Sequence, residues 1–173
     1  MATITPALLP IDVYLRTSYH PDVDFIDGEI EERNSGEFEH ARLQTLLGSF
    51  FVTHEKLWGI QAIVEQRIRV SPTRVRICDL TLLHAGAPRE RVTETPPLLC
   101  VEILSPEDRL SRAQLVLADY LLMGVPNLWL IDPIRRSAHT FDRDGLHHAD
   151  PTRLTIPNTP ITLDLTEPFA ALD

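Results

Sequence analysis

The run Leu98-Leu99-Cys100-Val101-Glu102-Ile103-Leu104 constrains the fold more than any other part of the chain. Every residue in it except Glu102 is apolar. A strand apolar on both faces belongs in the middle of a sheet that is covered on both sides. Burying a lone carboxylate there costs several kcal/mol unless it is paired, protonated or bound to a cation. Asp79 poses the same problem at the end of another apolar run, Val75-Arg76-Ile77-Cys78-Asp79-Leu80. Two strand-borne carboxylates converging on one cleft make a hard-oxygen site of the kind that Mg2+ or Mn2+ occupies. Two arginines neutralising one acid each would satisfy the same energetics, and the pattern alone leaves both readings open.

The flanking segments supply the rest of the architecture. Pro10 to Thr17 reads as a short helix. Asp24-Phe25-Ile26 and Glu29-Ile30-Glu31-Glu32-Arg33 flank Asp27-Gly28, a strong hairpin signal. Asn34 and Glu37 form a capping pair for the next helix, in which Leu43, Leu46, Leu47, Phe50 and Phe51 recur at helical spacing. Ala62 to Val70 and Arg74 to Leu83 read as paired strands. A register joining Val70 to Val75 also joins Ile68 to Ile77 and Gln66 to Asp79, and puts Arg67, Arg69, Arg74 and Arg76 on the opposite face. Ser105-Pro106-Glu107-Asp108 predicts a helix start with a serine N-cap, and Gly124 its stop. Strands follow at Asn127 to Asp132 and Ser137 to Asp142, with a short one near Ile161 to Leu163 and a terminal helical turn. The expected fold is α/β (α+β), a mixed central sheet flanked by helices, in one domain over residues 1–173.

Composition narrows the function. Hydrophobic residues make up 43% of the 173 and charged residues 24%, as in an ordinary globular domain. A domain of ~150 residues buries roughly two-thirds of its unfolded surface, so no disulfide or structural metal is needed for a core. Cys78 and Cys100 lie in apolar strand runs and read as free thiols, which with the lack of a signal-peptide pattern points to the cytoplasm. No apolar run approaches the ~20 residues of a membrane span. The net charge of −9 excludes passive coating of nucleic acid. It leaves room for a local arginine patch beside a metal-loaded cleft.

Several motifs occur in a telling order: the acid-rich hairpin 24–32, His40 opening the next helix, Asp79 after a strand, and Val-Glu-Ile-Leu-Ser-Pro at 101–106. Tyr120, Gly124-Val125-Pro126-Asn127-Leu128-Trp129-Leu130-Ile131-Asp132-Pro133 complete it. This pattern resembles the Uma-type restriction endonuclease family of the PD-(D/E)xK nuclease superfamily, from about residue 12 to residue 142. The resemblance implies a restriction-endonuclease-like core and metal-assisted hydrolysis of DNA phosphodiesters. It makes Asp79 and Glu102 the metal ligands, with Mg2+ or Mn2+ as cofactor, although Cys78 stands where the family usually has proline. Glu29 would complete the acidic cluster, and Gln66 and His40 would line the cleft as substrate-binding groups. By analogy, a homodimer would present two sites to two strands.

One departure bears on turnover. The family usually has a lysine or arginine four residues before the tyrosine, where this chain has Val116. Leu104 stands two residues after Glu102, where other nucleases of the superfamily keep their lysine, and Lys56 is the only lysine among 16 basic residues. Arg112, one helical turn before Val116, is the expected catalytic substitute, yet arginine stays protonated and cannot deprotonate water. The alternative function is a catalytically inactive binding or assembly module. His139, His147 and His148 read as solvated, Ser105 as a cap, and Trp129 and Tyr120 as core.

Overall fold

A computed structural model describes residues 8–33 and 37–173; Asn34 of the expected capping pair lies outside them. In chain order the elements are α1 (Ile11–Arg16), β1 (Asp24–Ile26), β2 (Glu29–Glu31), α2 (Phe38–Trp58), β3 (Ile60–Ser71), β4 (Arg74–His84) and β5 (Leu99–Ile103). They continue with α3 (Leu110–Met123), β6 (Leu128–Asp132), β7 (Ser137–Asp142), β8 (Gly145–Ala149), β9 (Leu154–Thr155), β10 (Thr162–Leu163) and α4 (Thr166–Ala170). The large sheet runs β2-β1-β4-β5-β6-β7-β8, with β3 also paired to β4. Among the described strands, β5 and β6 pair in parallel, joined across α3. A parallel pair requires such a crossover. The α/β expectation, a mixed sheet flanked by helices, is met.

The sheet has two apolar faces, each covered by a helix. On one, Leu80, Leu82, Leu99, Val101, Ile103, Trp129 and Ile131 meet Leu43, Leu47 and Phe51 of α2. On the other, Ile68, Cys78, Cys100, Leu128 and Leu130 meet Val116, Leu117 and Tyr120 of α3. The apolar run that began the sequence reading is β5, and it divides its side chains between these two clusters, as a central strand must. A third cluster seats α1 on the hairpin: Tyr14 packs against Phe25 and donates its hydroxyl to the Val23 carbonyl at 2.7 Å. Cys78 and Cys100 are free and buried.

The topology around β4 positions the site. β3 lines one edge of β4 along its length, from Ile60↔His84 to Ser71↔Arg74. The other edge is shared: β1 pairs at Val75 and Arg74, and β5 at Leu80 to Leu82. Between them the sheet forks, and carboxylates take the place of the missing strand. The Ile77 N–H donates to Asp24 at 3.0 Å, and the Ile103 N–H of β5 donates to Asp79 at 2.8 Å. Strict alternation also slips here. Cys78 packs toward α3 while Leu80 packs toward α2, although residues two apart on a regular strand share a face. Opposite this slip, Glu65 of β3 has φ +53°.

Four sequence expectations need correction. The β3/β4 register is one residue off the predicted one: Gln66 pairs with Cys78, not Asp79, and Ile68 with Arg76, because an irregularity between Arg69 and Ser71 absorbs the extra residue. The four arginines therefore do not share a face, since Arg67 and Arg69 stand opposite Ile77 and Val75. Ser105 to Asp108 is a turn, not a helix start. Asp108 accepts from the Ser105 N–H at 2.8 Å and returns its own N–H to the Ser105 carbonyl at 2.9 Å, so α3 begins only at Leu110. His147 and His148 lie in β8, a strand hairpinned to β7, rather than in a turn.

Candidate active site

Asp79 lies at the fork with its carboxylate buried, and every polar neighbour comes from a different element. Oδ2 accepts the Ile103 N–H of β5 and lies 3.2 Å from His40 Nε2, at the start of α2. Oδ1 accepts from Arg33 at 2.7 Å, from the segment after β2. Arg33 also binds Glu65 at 2.5 Å. Gln44, one helical turn beyond His40, donates to Glu65 at 2.6 Å and to the Asp79 carbonyl at 2.9 Å. Burial works against charge on Arg33, but Asp79, Glu65 and Glu102 together hold its pKa above the ordinary arginine value. His40 follows the same logic: burial pulls its pKa down, and the hydrogen bond and charge of Asp79 outweigh it, leaving the imidazole a stronger base than usual. His40 Nδ1 has no hydrogen-bond partner among the described residues.

Glu102 stands one strand over, on the α3 face. It is half-buried between residues that are almost fully covered, and Oε1 accepts the Tyr120 hydroxyl at 2.8 Å. Burial pushes its pKa well above the carboxylate range, and the charge of Asp79 adds to the shift; Arg33 and the Tyr120 hydrogen bond oppose it. The charge of Asp79 thus acts on Glu102 from the neighbouring strand. A strand-borne acid raised by burial and by a neighbouring charge is a common signature of a functional site.

A profile of the Uma2 family, described as "Putative restriction endonuclease", matches residues 13–171, nearly the whole chain. The chain belongs to the Uma2 family. A crystal structure described as "a putative nuclease belonging to DUF820", from Anabaena variabilis, superposes with a TM-score of 0.83. The match covers 97% of this chain and 100% of that one at 20% identity, a likeness that establishes the restriction-endonuclease-like fold. No curated protein matches.

The Uma2 positions singled out in the sequence are distributed unevenly over this fold. Asp79 and His40 meet at 3.2 Å, and Glu102 lies on the neighbouring strand, where the Asp79 charge acts on it. Glu29 is exposed at the turn end of the hairpin, in register with Ile26. The hairpin acids that turn inward are Asp24 and Glu31; Glu31 binds Arg76 at 2.9 Å and Arg112 at 3.2 Å. Arg112 is thereby directed to Glu31 and the Glu32 carbonyl. Gln66 donates to Thr93 at 3.0 Å. Val116 is buried in the α3 cluster, one turn before Tyr120, and Leu104 packs against the same cluster. The two positions where the family resemblance leads one to expect a cation, 116 and 104, are thus both apolar in this chain. Arg33, Gln44 and Glu65 escaped the sequence reading. The available hint was Arg33 closing the acid-rich hairpin, but nothing local shows that it reaches Asp79, 46 residues away.

The arginine ladder is neutralised by acids throughout. Arg67 binds Asp22 at 2.8 Å, Arg69 binds Glu94 at 3.3 Å, and Arg74 binds Asp27 and Asp119 at 2.6 and 3.0 Å. Arg76 binds Asp119 and Asp24 at 2.8 and 3.0 Å. Among the described residues, no group of three or more His, Cys, Asp or Glu side chains is arranged to hold a metal ion. Asp79 and Glu102 nevertheless suit Mg2+ in donor type, because that ion is commonly held by one or two carboxylates with water and substrate phosphate completing its shell. No helix of the described residues is long and apolar enough to cross a membrane.

Proposed function

We propose that this chain is a Mg2+- or Mn2+-dependent endonuclease that hydrolyses DNA phosphodiesters at the Asp79/Glu102 pair. The observation that supports this reading is a pair of acids on adjacent strands at the fork of the sheet in a Uma2 chain, with the Asp79 charge acting on Glu102. A divalent ion supplies charge neutralisation on the phosphate and a more acidic water. Asp79 and Glu102 would hold it. The chain's own contribution is orientation: the Ile103 N–H and His40 fix Oδ2 of Asp79, leaving Oδ1 directed toward Arg33, and Tyr120 fixes one oxygen of Glu102. By the same analogy the active species is a homodimer, which sedimentation equilibrium would show as twice the 19.6 kDa chain mass.

The test is a titration of Mg2+ and Mn2+ into the wild type, Asp79→Asn and Glu102→Gln, following both metal binding and cleavage of a mixed DNA panel. The wild type is expected to bind and cut, with both variants weakened at least tenfold in metal affinity. Equal metal binding by all three proteins would remove the site assignment. One observation favours a second reading, a nuclease fold kept as an inactive binding or assembly module: Val116 and Leu104 are apolar where a cation is customary. Cleavage that appears in Val116→Lys and is absent from the wild type would favour that module.

A further inference from the structure

Both positions that would supply a cation are apolar, and Arg112 is engaged with Glu31. Yet one permanent cation does touch Asp79. Arg33 reaches it from the segment following β2, with one guanidinium nitrogen on Asp79 Oδ1 at 2.7 Å and another on Glu65 Oε2 at 2.5 Å. Its side chain is 18% exposed, so the group is held in place with one edge still open. Glu65, the acid that aims it, is itself held by Gln44. Its backbone has φ +53°, a conformation that non-glycine residues seldom adopt. Arg33, Glu65 and Gln44 lie on three separate elements and meet at Asp79, beside Glu102.

Resting on the nuclease reading above, we infer that Arg33 is a catalytic residue that supplies the positive charge usually provided by lysine in this superfamily. Phosphodiester hydrolysis forms a bond from phosphorus to the water oxygen and breaks the bond to the leaving sugar oxygen, which departs with a proton. Charge builds on the non-bridging oxygens as this happens. A fixed guanidinium stabilises that charge without gaining or losing a proton. Two of its five N–H donors are on Glu65 and Asp79, which leaves three for phosphate oxygens. The proton from water must then pass to another acceptor, so Arg33 replaces the electrostatic part of the lysine's role and not a general base.

The test compares wild type, Arg33→Lys and Arg33→Gln in three measurements: Mn2+ titration, cleavage of a mixed duplex in Mn2+, and duplex binding in EDTA over a range of salt. Arg33→Gln is expected to bind Mn2+ as tightly as wild type or more tightly, because a positive charge beside Asp79 has gone. Its turnover should fall about 100- to 1,000-fold, the usual cost of removing one preorganised donor. Arg33→Lys should recover at least tenfold of that loss. The salt slope of duplex binding should drop by about one for Arg33→Gln, as expected for one lost phosphate contact. If Arg33→Gln unfolds, the same measurements are made on Arg33→Gln with Glu65→Gln, which removes the acid left unpaired. Turnover of a metal-loaded Arg33→Gln equal to wild type overturns the inference and leaves the nuclease reading standing. So does an unrescued Arg33→Lys that folds and binds metal normally. A wild type that binds Mn2+ and cuts nothing fails the nuclease reading, and this inference with it.

Discussion

At the scale of single residues, the most consequential choice is which charges are buried together. Arg76 is nearly sealed between Asp24 and Asp119, both also buried, and has Glu31 at its outer edge. Burial raises the Asp24 pKa, and Arg76 is the main influence opposing that rise. Removing the arginine would leave two buried acids without compensation. Arg76→Met should therefore lose about 3–5 kcal/mol of stability in urea unfolding, and Arg76→Met with Asp24→Asn and Asp119→Asn markedly less. A loss under about 1 kcal/mol, the range of an exposed pair, would show that water reaches the cluster. The same residues explain why the four-arginine ladder is a structural device in this chain. Each arginine already has an acid, so none is left over as an obvious grip for phosphate.

At the scale of elements, turn chemistry was more legible than register. The Asp27-Gly28 hairpin could be read directly, because two consecutive positive φ angles are something few other residue pairs allow; here they are 52° and 96°. Gly28 has a second reason to be glycine, since a Cβ there would lie 2.7 Å from the Leu8 Cβ. Gly28→Ala should cost about 1–2 kcal/mol or more in thermal or urea unfolding, from the backbone conformation before any clash is counted. A neutral result would mean that the hairpin relaxes into another turn. The β3/β4 register was misread because apolar and charged residues sort acceptably in either alignment, and one irregular residue near Val70 decides between them. The start of α3 was misread for a related reason. Ser-Pro-Glu-Asp satisfies a cap pattern and a turn equally well, and the Asp108 carboxylate on the Ser105 N–H selects the turn.

At the scale of the whole molecule, the carboxylates set the response to acid. Hydrogen bonds from Arg74 and Thr73 hold the Asp27 pKa down, and those from His147, Thr152 and Thr166 do the same for Asp142, Asp150 and Asp164. Glu31 is also lowered: burial would raise it, and Arg112 and Arg76 prevail. A carboxylate with a depressed folded pKa contributes stability above its unfolded value, and that contribution is lost as pH falls through the folded value. Asp24 and Glu102, whose pKa values are raised, act in the opposite sense. Because the lowered acids outnumber these two, the melting temperature should decline as pH drops below about 4, where unfolded carboxylates titrate. A melting temperature that stays flat through that range would contradict the balance. The net charge of −9 at neutral pH does not conflict with a DNA substrate, since association would depend on the cleft and its ion rather than on the overall field.

The sequence by itself determined the layered α/β plan, the family and the central strand around Glu102. All of these follow from local rules: apolar periodicity, turn residues, and the cost of a carboxylate in an apolar strand. Only the tertiary structure decided that β4 forks between β1 and β5, that alternation slips at Asp79, and that Arg33, Glu65 and Gln44 close around it. Those contacts join residues 21 to 46 positions apart and depend on which edge of one strand is left unpaired. No pattern within a single element records that.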